Sequence, residues 1–345
     1  MSTAVSMKVR PRAADDLLRE LAERLTERDR YVLRMLDDHR VLTTAQVADL
    51  GFASIRRAQD RLDHLHGLRA VDRFRPFRAT GSAPYHWVLD WGGAAVRAAE
   101  RDAGADLAAM TWRKERALAV ARSMHLEHRV GANGFFTALI REGRRQRALG
   151  KPGDGLALWW SARECDREFA TGHHRAPAHP DGAGRWSEDR TEIAWLLEWD
   201  CGTETLGQLA DKLPAHGRLM DDIGRAHGVW VLFRFPSPRR EAEARRAMEK
   251  PSRVARLRVA TAVLAPGESP AEAVWLPLVE PARRRLRLID LAGLAQGHSG
   301  IAADARRTAE TAAFEPGSDD GGEAGEDGRG WGEAGEDGRG WGDDH

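Results

Sequence analysis

Cysteine is scarce. Cys165 and Cys201 are the two in a chain of 345 residues, too few and too scattered for a disulfide framework or a zinc knuckle. A reduced, cytoplasmic compartment is the expectation. The chain also lacks an opening apolar segment of signal-peptide type and any apolar run of membrane-spanning length, so neither export nor a membrane partner is expected. Lysine is limited to Lys8, Lys114, Lys151, Lys212 and Lys250, so each is conspicuous among the arginines. Net charge is absent as well, since 53 Lys and Arg match 53 Asp and Glu. That zero averages two unlike pieces. Residues 315–345 hold eleven acidic residues against two arginines, which leaves about +9 on residues 1–314. A basic body points to nucleic acid or another polyanion.

The length suggests two folded domains. Residues 1–25 read as an Ala/Leu/Arg-rich helical extension and 26–90 as the first compact unit. Thr26-Glu27-Arg28-Asp29 opens a helix with Tyr31, Leu33 and Leu36 as its apolar stripe. Thr43 or Thr44 caps a second helix, and Ser54 a third with Ile55, Ala58, Leu62 and Leu65 facing inward. Alternating segments at 70–77 and 85–89, joined by Gly81-Ser82-Ala83-Pro84, then form a two-stranded wing. Three helices and a wing resemble a winged helix-turn-helix, which implies binding of double-stranded DNA. Arg56, Arg57, Gln59 and Arg61 on the third helix, with Arg73, Arg75 and Arg78 on the wing, are the candidate contacts.

Residues 91–110 read as a linker helix, and 111–292 as a second, α/β domain. Its first part, 111–147, is a long helix expected to be interrupted or bent near Gly131 and Gly134, with Glu127, His128 and Asn133 as polar residues in its middle. Strands follow at 156–162, 193–199, 228–236 and 256–264, interleaved with helices, so a mixed central sheet flanked by helices is the economical architecture. Residues 293–345 form a Gly-rich acidic tail in which Gly-Glu-Ala-Gly-Glu-Asp-Gly-Arg-Gly-Trp occurs twice in tandem, at 322–331 and 332–341. Such a composition buries too little apolar surface to offset its ordering entropy, so the tail is expected to be disordered.

Chemistry concentrates between Pro180 and Lys212. Strand alternation puts Leu196, Glu198 and Asp200 on one face and Trp195, Leu197 and Trp199 on the other. Asp181 joins the two carboxylates if its segment pairs antiparallel with theirs across a loop at 182–190. Hard oxygen ligands at a strand end suit Mg²⁺, and an ammonium such as that of Lys212 suits a scissile phosphate. Lys212 lies on a helix that Thr205 and Gln208 can open as a capping box, and Gln208 and Lys212 share one side of it. His173, His174 and His179 cluster just before Asp181. They lack a fourth ligand at zinc-site spacing, and more naturally flank a phosphate-facing surface.

The order helix, strand, Pro180-Asp181, strand with Glu198-Trp199-Asp200, helix, strand resembles the PD-(D/E)XK nuclease superfamily. With the winged helix in front, and with Cys201-Gly202-Thr203-Glu204 and Lys212-Leu213 behind, the chain is similar to the replication-relaxation family of actinobacterial plasmids and mobile elements over residues 26–263. The resemblance implies participation in plasmid replication and relaxation of supercoiled DNA, and a location beside plasmid or nucleoid. Where an active nuclease of that superfamily usually carries Lys, this chain has Asp200. On the enzymatic reading Asp181, Glu198 and Asp200 hold Mg²⁺, Lys212 stabilises the developing phosphorane charge and Gln208 positions water or phosphate. On the alternative reading the second domain is inactive and serves homodimerisation or docking of replication proteins, in a replication or transcription factor. A third reading has the acidic tail mimic DNA and compete for the basic body.

Overall fold

The computed structural model describes residues 11–295 apart from 79, 103–104, 106, 108–109, 111, 152, 171–175, 223–227, 250–256 and 279–283. All of these fall within one unit, Met1–Phe314. The second unit, Glu315–His345, lies outside the described residues, as do His173 and His174. Among the described residues no helix is long and apolar enough to cross a membrane.

Local signals set the first helices. After α1 (Pro11–Arg24), Thr26 and Asp29 form a reciprocal capping box that starts α2 (Glu27–His39). Thr43 and Gln46 repeat the device after β1 (Leu42–Thr43) to start α3 (Thr44–Gly51). The Ser54 hydroxyl accepts from the backbone N–H of Arg57 at 3.2 Å and opens α4 (Ile55–Gly67). Strands β2 (Val71–Phe74) and β3 (His86–Leu89) then complete a small antiparallel sheet in the order β1-β3-β2. Helices α2 to α4 with this sheet make a winged helix-turn-helix. Ala58, Leu62 and Leu65 are buried along α4, but Ile55 is 58% exposed. The expected inward stripe therefore begins one turn later, because the first turn of α4 projects beyond the core.

Helix α5 (Trp91–Arg101) leads to α6 (Lys114–Leu118), a 3₁₀ turn at Ala119–Arg122 and then α7 (Leu126–Ala148). The interruption expected near Gly131 and Gly134 is not there: the helix is continuous through both, and the long helix breaks before Leu126 instead. Gly131 has another reason. A Cβ built on it would lie 2.3 Å from Nε1 of Trp199, so glycine is what lets that indole lie against the helix.

A six-stranded mixed sheet follows in the order β4-β5-β6-β7-β8-β9, from β4 (Gly155–Ser161), β5 (Gly182–Glu188), β6 (Thr191–Trp199), β7 (Val229–Phe235), β8 (Arg258–Val263) and β9 (Leu276–Pro277). Strands β6, β7 and β8 run parallel and the remaining pairs antiparallel. Interleaved with them are α8 (Ala162–Glu168), α9 (Leu206–Asp222), α10 (Pro238–Met248) and, last, α11 (Asp290–Ala295). Phe135 and Phe136 of α7 pack with Trp159 and Trp195 on one face of the sheet. Leu209 and Leu213 of α9 and Ala244 of α10 share the opposite core with Leu196, Val231 and Phe233. The segment expected as a loop at 182–190 is instead strand β5 and a two-residue turn. Asp189 and Arg190 in that turn have φ of 47° and 65°, as a tight hairpin of matching twist requires.

The winged helix is seated on α7 and the sheet. His39 stacks on Trp159 with ring centroids 3.5 Å apart and planes 11° apart. Asn133 Nδ2 donates to the carbonyl of Val41 at 2.8 Å, and Gln46 Nε2 to that of Val130 at 2.7 Å. Asn133 and Gln46 are buried and their amide nitrogens satisfied across the seam, which fixes its register.

Candidate functional site

The β5–β6 hairpin brings the distant carboxylates to one end of the sheet. Gly182 pairs with Leu197, so Asp181 and Glu198 fall at the next step of the ladder. The Asp181 N–H donates to the Leu197 carbonyl at 2.8 Å, and its Oδ2 accepts from the Trp199 N–H at 2.7 Å. Alternation along β6 holds as expected, with Leu196 in the α9-side core and Trp195 and Leu197 in the α7-side core.

Each carboxylate meets a basic partner. Glu198, 3% exposed, accepts Lys212 Nζ at 2.8 Å on Oε2, while its Oε1 lies 2.7 Å from His216 Nε2. Burial is the strongest influence on Glu198 and works against its charge, yet the hydrogen bonds and charges of His216 and Lys212 prevail and hold its carboxyl below the ordinary range. Lys212 also bridges to Glu204 at 2.9 Å. Burial would weaken its hold on a proton, but the two carboxylates overcome that and raise it. Asp181 Oδ2 lies 3.1 Å from His128 Nε2. Burial, aided by the neighbouring Glu198 charge, pushes the Asp181 carboxyl up, and the hydrogen bond to Asp181 raises His128.

Asp200 is gripped from α10. Arg240 Nε reaches its Oδ2 at 2.8 Å and the second nitrogen its Oδ1 at 3.3 Å, while Gly202 N–H donates to Oδ1 at 3.0 Å. Beside it, the Arg234 guanidinium lies 4.0 Å over the Trp199 ring, whose other neighbour is Gly131. Gln208 is committed locally: its Oε1 accepts from the Thr205 N–H at 2.8 Å and hydroxyl at 2.9 Å. His179 pairs with Asp166 at 2.6 Å, and Glu127 is exposed.

The donor set does not fit Mg²⁺ as it stands. Both oxygens of Glu198 and both of Asp200 are engaged by basic or N–H donors. Asp181, Glu198 and Asp200 do not form a group whose ligand atoms all lie within 4.8 Å of one another. Among the described residues, Asp154, Glu188 and Asp189 do form such a group, at the far end of the same hairpin. There Lys151 pairs with Asp189 and Arg287 with Glu188.

Sequence reasoning missed His128, His216, Arg234 and Arg240. For His216 a signal existed: it follows Lys212 by one helical turn, four residues on, which puts both on the face above Glu198.

The candidate contacts of the winged helix divide into two sets. Arg56, Arg57, Arg75 and Arg78 are exposed, with the Arg56 side chain at 91%. Arg75 lies 3.8 Å over the Tyr85 ring, which leaves its guanidinium edge outward. The others are structural ties. Arg61 grips buried Asp29 at 2.9 and 2.5 Å and the Arg24 carbonyl at 3.0 Å. Gln59 bonds Thr44 at 3.2 Å and Asp63 at 2.9 Å, and Arg73 pairs with Asp63.

The fold is thus a winged helix seated on a mixed sheet whose acidic end is closed by basic side chains. The chain belongs to the replication-relaxation family, whose model matches residues 33–233, more than half of its length. That span runs from within α2 into β7 and so takes in α4, the wing, Asp181, Glu198 and Lys212. Membership ties the chain to plasmid replication and relaxation. Comparison with curated proteins and with solved structures gave no match.

Proposed function

We propose that this replication-relaxation protein acts by binding duplex DNA through α4 and the wing, and that its sheet end is a scaffold that docks partners of the replication machinery rather than a hydrolytic centre. The observation that carries the reading is the contrast in how cations are used. Arg56, Arg57, Arg75 and Arg78 are exposed, and the Arg56 pair with Asp60 at 4.0 Å lies in solvent, whereas Lys212, His216 and Arg240 are held by the buried carboxylates Glu198 and Asp200. A helix with guanidinium groups on its outer face suits the major groove, and phosphate contacts supply affinity.

The test is a titration of labelled duplex at several salt concentrations. Arg56→Ala with Arg57→Ala is expected to weaken binding by about tenfold or more and to lower the salt slope by about 2. Unchanged affinity removes the recognition-helix assignment. The convergence of Asp181, Glu198 and Lys212 favours one rival, Mg²⁺-dependent nicking. Purified protein with supercoiled plasmid and Mg²⁺ is expected to give no nicked product, and nicking that Asp181→Ala abolishes would put the nuclease reading in its place.

A further inference from the structure

Among the described residues Ile55, Phe77, Met124 and Leu149 are the exposed large apolar side chains, and Phe77 is the aromatic one. Phe77 is 93% exposed, in the segment Arg75-Pro76-Phe77-Arg78 that leads from β2 into the wing, with exposed arginines on both sides. Burying a phenyl ring recovers about 2–3 kcal/mol, which this ring forgoes in the free protein. The root of the segment is held. Arg73 and Arg75 stack on Tyr85 at 4.3 and 3.8 Å, and Arg73 is also paired to Asp63 of α4. Pro76 fixes one backbone angle just before the ring. The tip is thus tied at its base to α4 and carries an exposed apolar ring that lies between Arg75 and Arg78 in the chain.

That combination is the chemistry of a minor-groove wedge. The minor groove draws arginine by its negative potential, and an aromatic ring between base steps unstacks them and kinks the duplex. Building on the DNA-binding reading above, we propose that Phe77 is such a wedge. With α4 in the major groove, the wing enters the neighbouring minor groove, Arg75 and Arg78 meet the sugar-phosphate walls, and Phe77 opens a base step. Pyrimidine–purine steps unstack at least cost, so the preferred partner is duplex DNA with a TA or CA step at that point. The flanking positive charge favours this occupant over an apolar protein surface.

End-to-end energy transfer on doubly labelled duplexes, with and without a central TA step, tests the proposal alongside an affinity titration. The wild-type chain is expected to shorten the end-to-end distance, more so with the TA step. Phe77→Ala should keep its thermal unfolding profile, since the ring is exposed, bind within about tenfold of wild type, and lose the shortening. Phe77→Leu, a smaller wedge, should retain part of it. Wild-type binding without shortening, or equal shortening by Phe77→Ala, overturns the wedge and leaves the DNA-binding reading standing. Failure to bind any duplex overturns both. Self-association that depends on Phe77 in the absence of DNA, seen by sedimentation, also overturns it and gives the ring to a second copy.

Discussion

The winged helix and the sheet end are both rich in basic side chains, but they use them differently. On α4 and the wing, Arg56, Arg57, Arg75 and Arg78 are exposed, and the carboxylate set against Arg56, that of Asp60, is exposed too. At the sheet end, Lys212 and His216 close on Glu198, Arg240 on Asp200 and His128 on Asp181. Charge that is already neutralised in a buried pair contributes little to the field felt by a polyanion, whereas exposed charge acts over about a Debye length, near 10 Å. A count of arginines therefore overstates what the sheet end offers DNA. It also suggests different responses to mutation: stability should follow one region and affinity the other.

The largest effect expected from this division is at Glu198. Substituting Glu198→Ala leaves Lys212 with Glu204 alone and removes the partner of His216 Nε2, whose Nδ1 already lacks a hydrogen bond. Losing one member of a buried ionic cluster typically costs about 3–5 kcal/mol, measurable as a fall in the urea midpoint. The Arg56→Ala, Arg57→Ala chain should stay within about 0.5 kcal/mol of wild type in the same experiment. A loss under about 1 kcal/mol for Glu198→Ala would mean that the cluster is open to rearrangement, and the comparison would weaken.

The seam between the regions responds to acid. Burial lowers the His39 pKa from 6.5 to about 3, and the ring is stacked on Trp159. The folded chain therefore binds fewer protons than the unfolded chain between these values, so stability is full above pH 6.5 and falls as pH drops. The slope is about 1.4 kcal/mol per pH unit, or roughly 2 kcal/mol lost by pH 5. Urea unfolding at pH 7.5 and pH 5 should show this loss, and His39→Phe, which keeps an aromatic ring against Trp159, should reduce it. His128 has the opposite sign. Its pKa is raised by the hydrogen bond to Asp181, so its contribution is present below pH 6.5 and fades as pH rises.

How much of this was legible in sequence depended on range. The caps at Thr26, Thr43 and Ser54 were readable because each joins residues three apart. Asp181 was expected beside Glu198 across a loop at 182–190, whereas the ladder of β5 with β6 brings it there, and at this end of the sheet the two faces of β6 were readable, from alternation. The strand Gly182–Glu188 was not, because Gly-Ala-Gly-Arg-Trp-Ser-Glu lacks β-branched residues. Its glycines answer to tertiary contacts: a Cβ on Gly184 would come within 2.3 Å of Trp195, and one on Gly182 within 2.8 Å of Phe136. The Arg240 clamp on Asp200 spans forty residues of chain, and one arginine among the many on α10 carries no local mark of its partner.

The smallest expected effect bears most directly on the boundary between the two regions. Gln208 was a candidate for positioning water or phosphate, yet its Oε1 receives both the N–H and the hydroxyl of Thr205, and its own N–H returns to Thr205 Oγ1 at 3.2 Å. A residue so placed satisfies the first turn of α9. Gln208→Ala should cost about 0.5–1 kcal/mol, in the range of lost caps. Gln208→Glu should hold or gain stability, since a carboxylate keeps the acceptor and complements the helix N-terminus. Neither should move DNA affinity by more than about twofold, which is within about 0.4 kcal/mol. If Gln208→Ala weakened DNA binding while unfolding at the wild-type midpoint, then α9 would touch the duplex. The sheet end would join the interface, and the separation of a binding half from a scaffold half would fail at the residue where it is easiest to test.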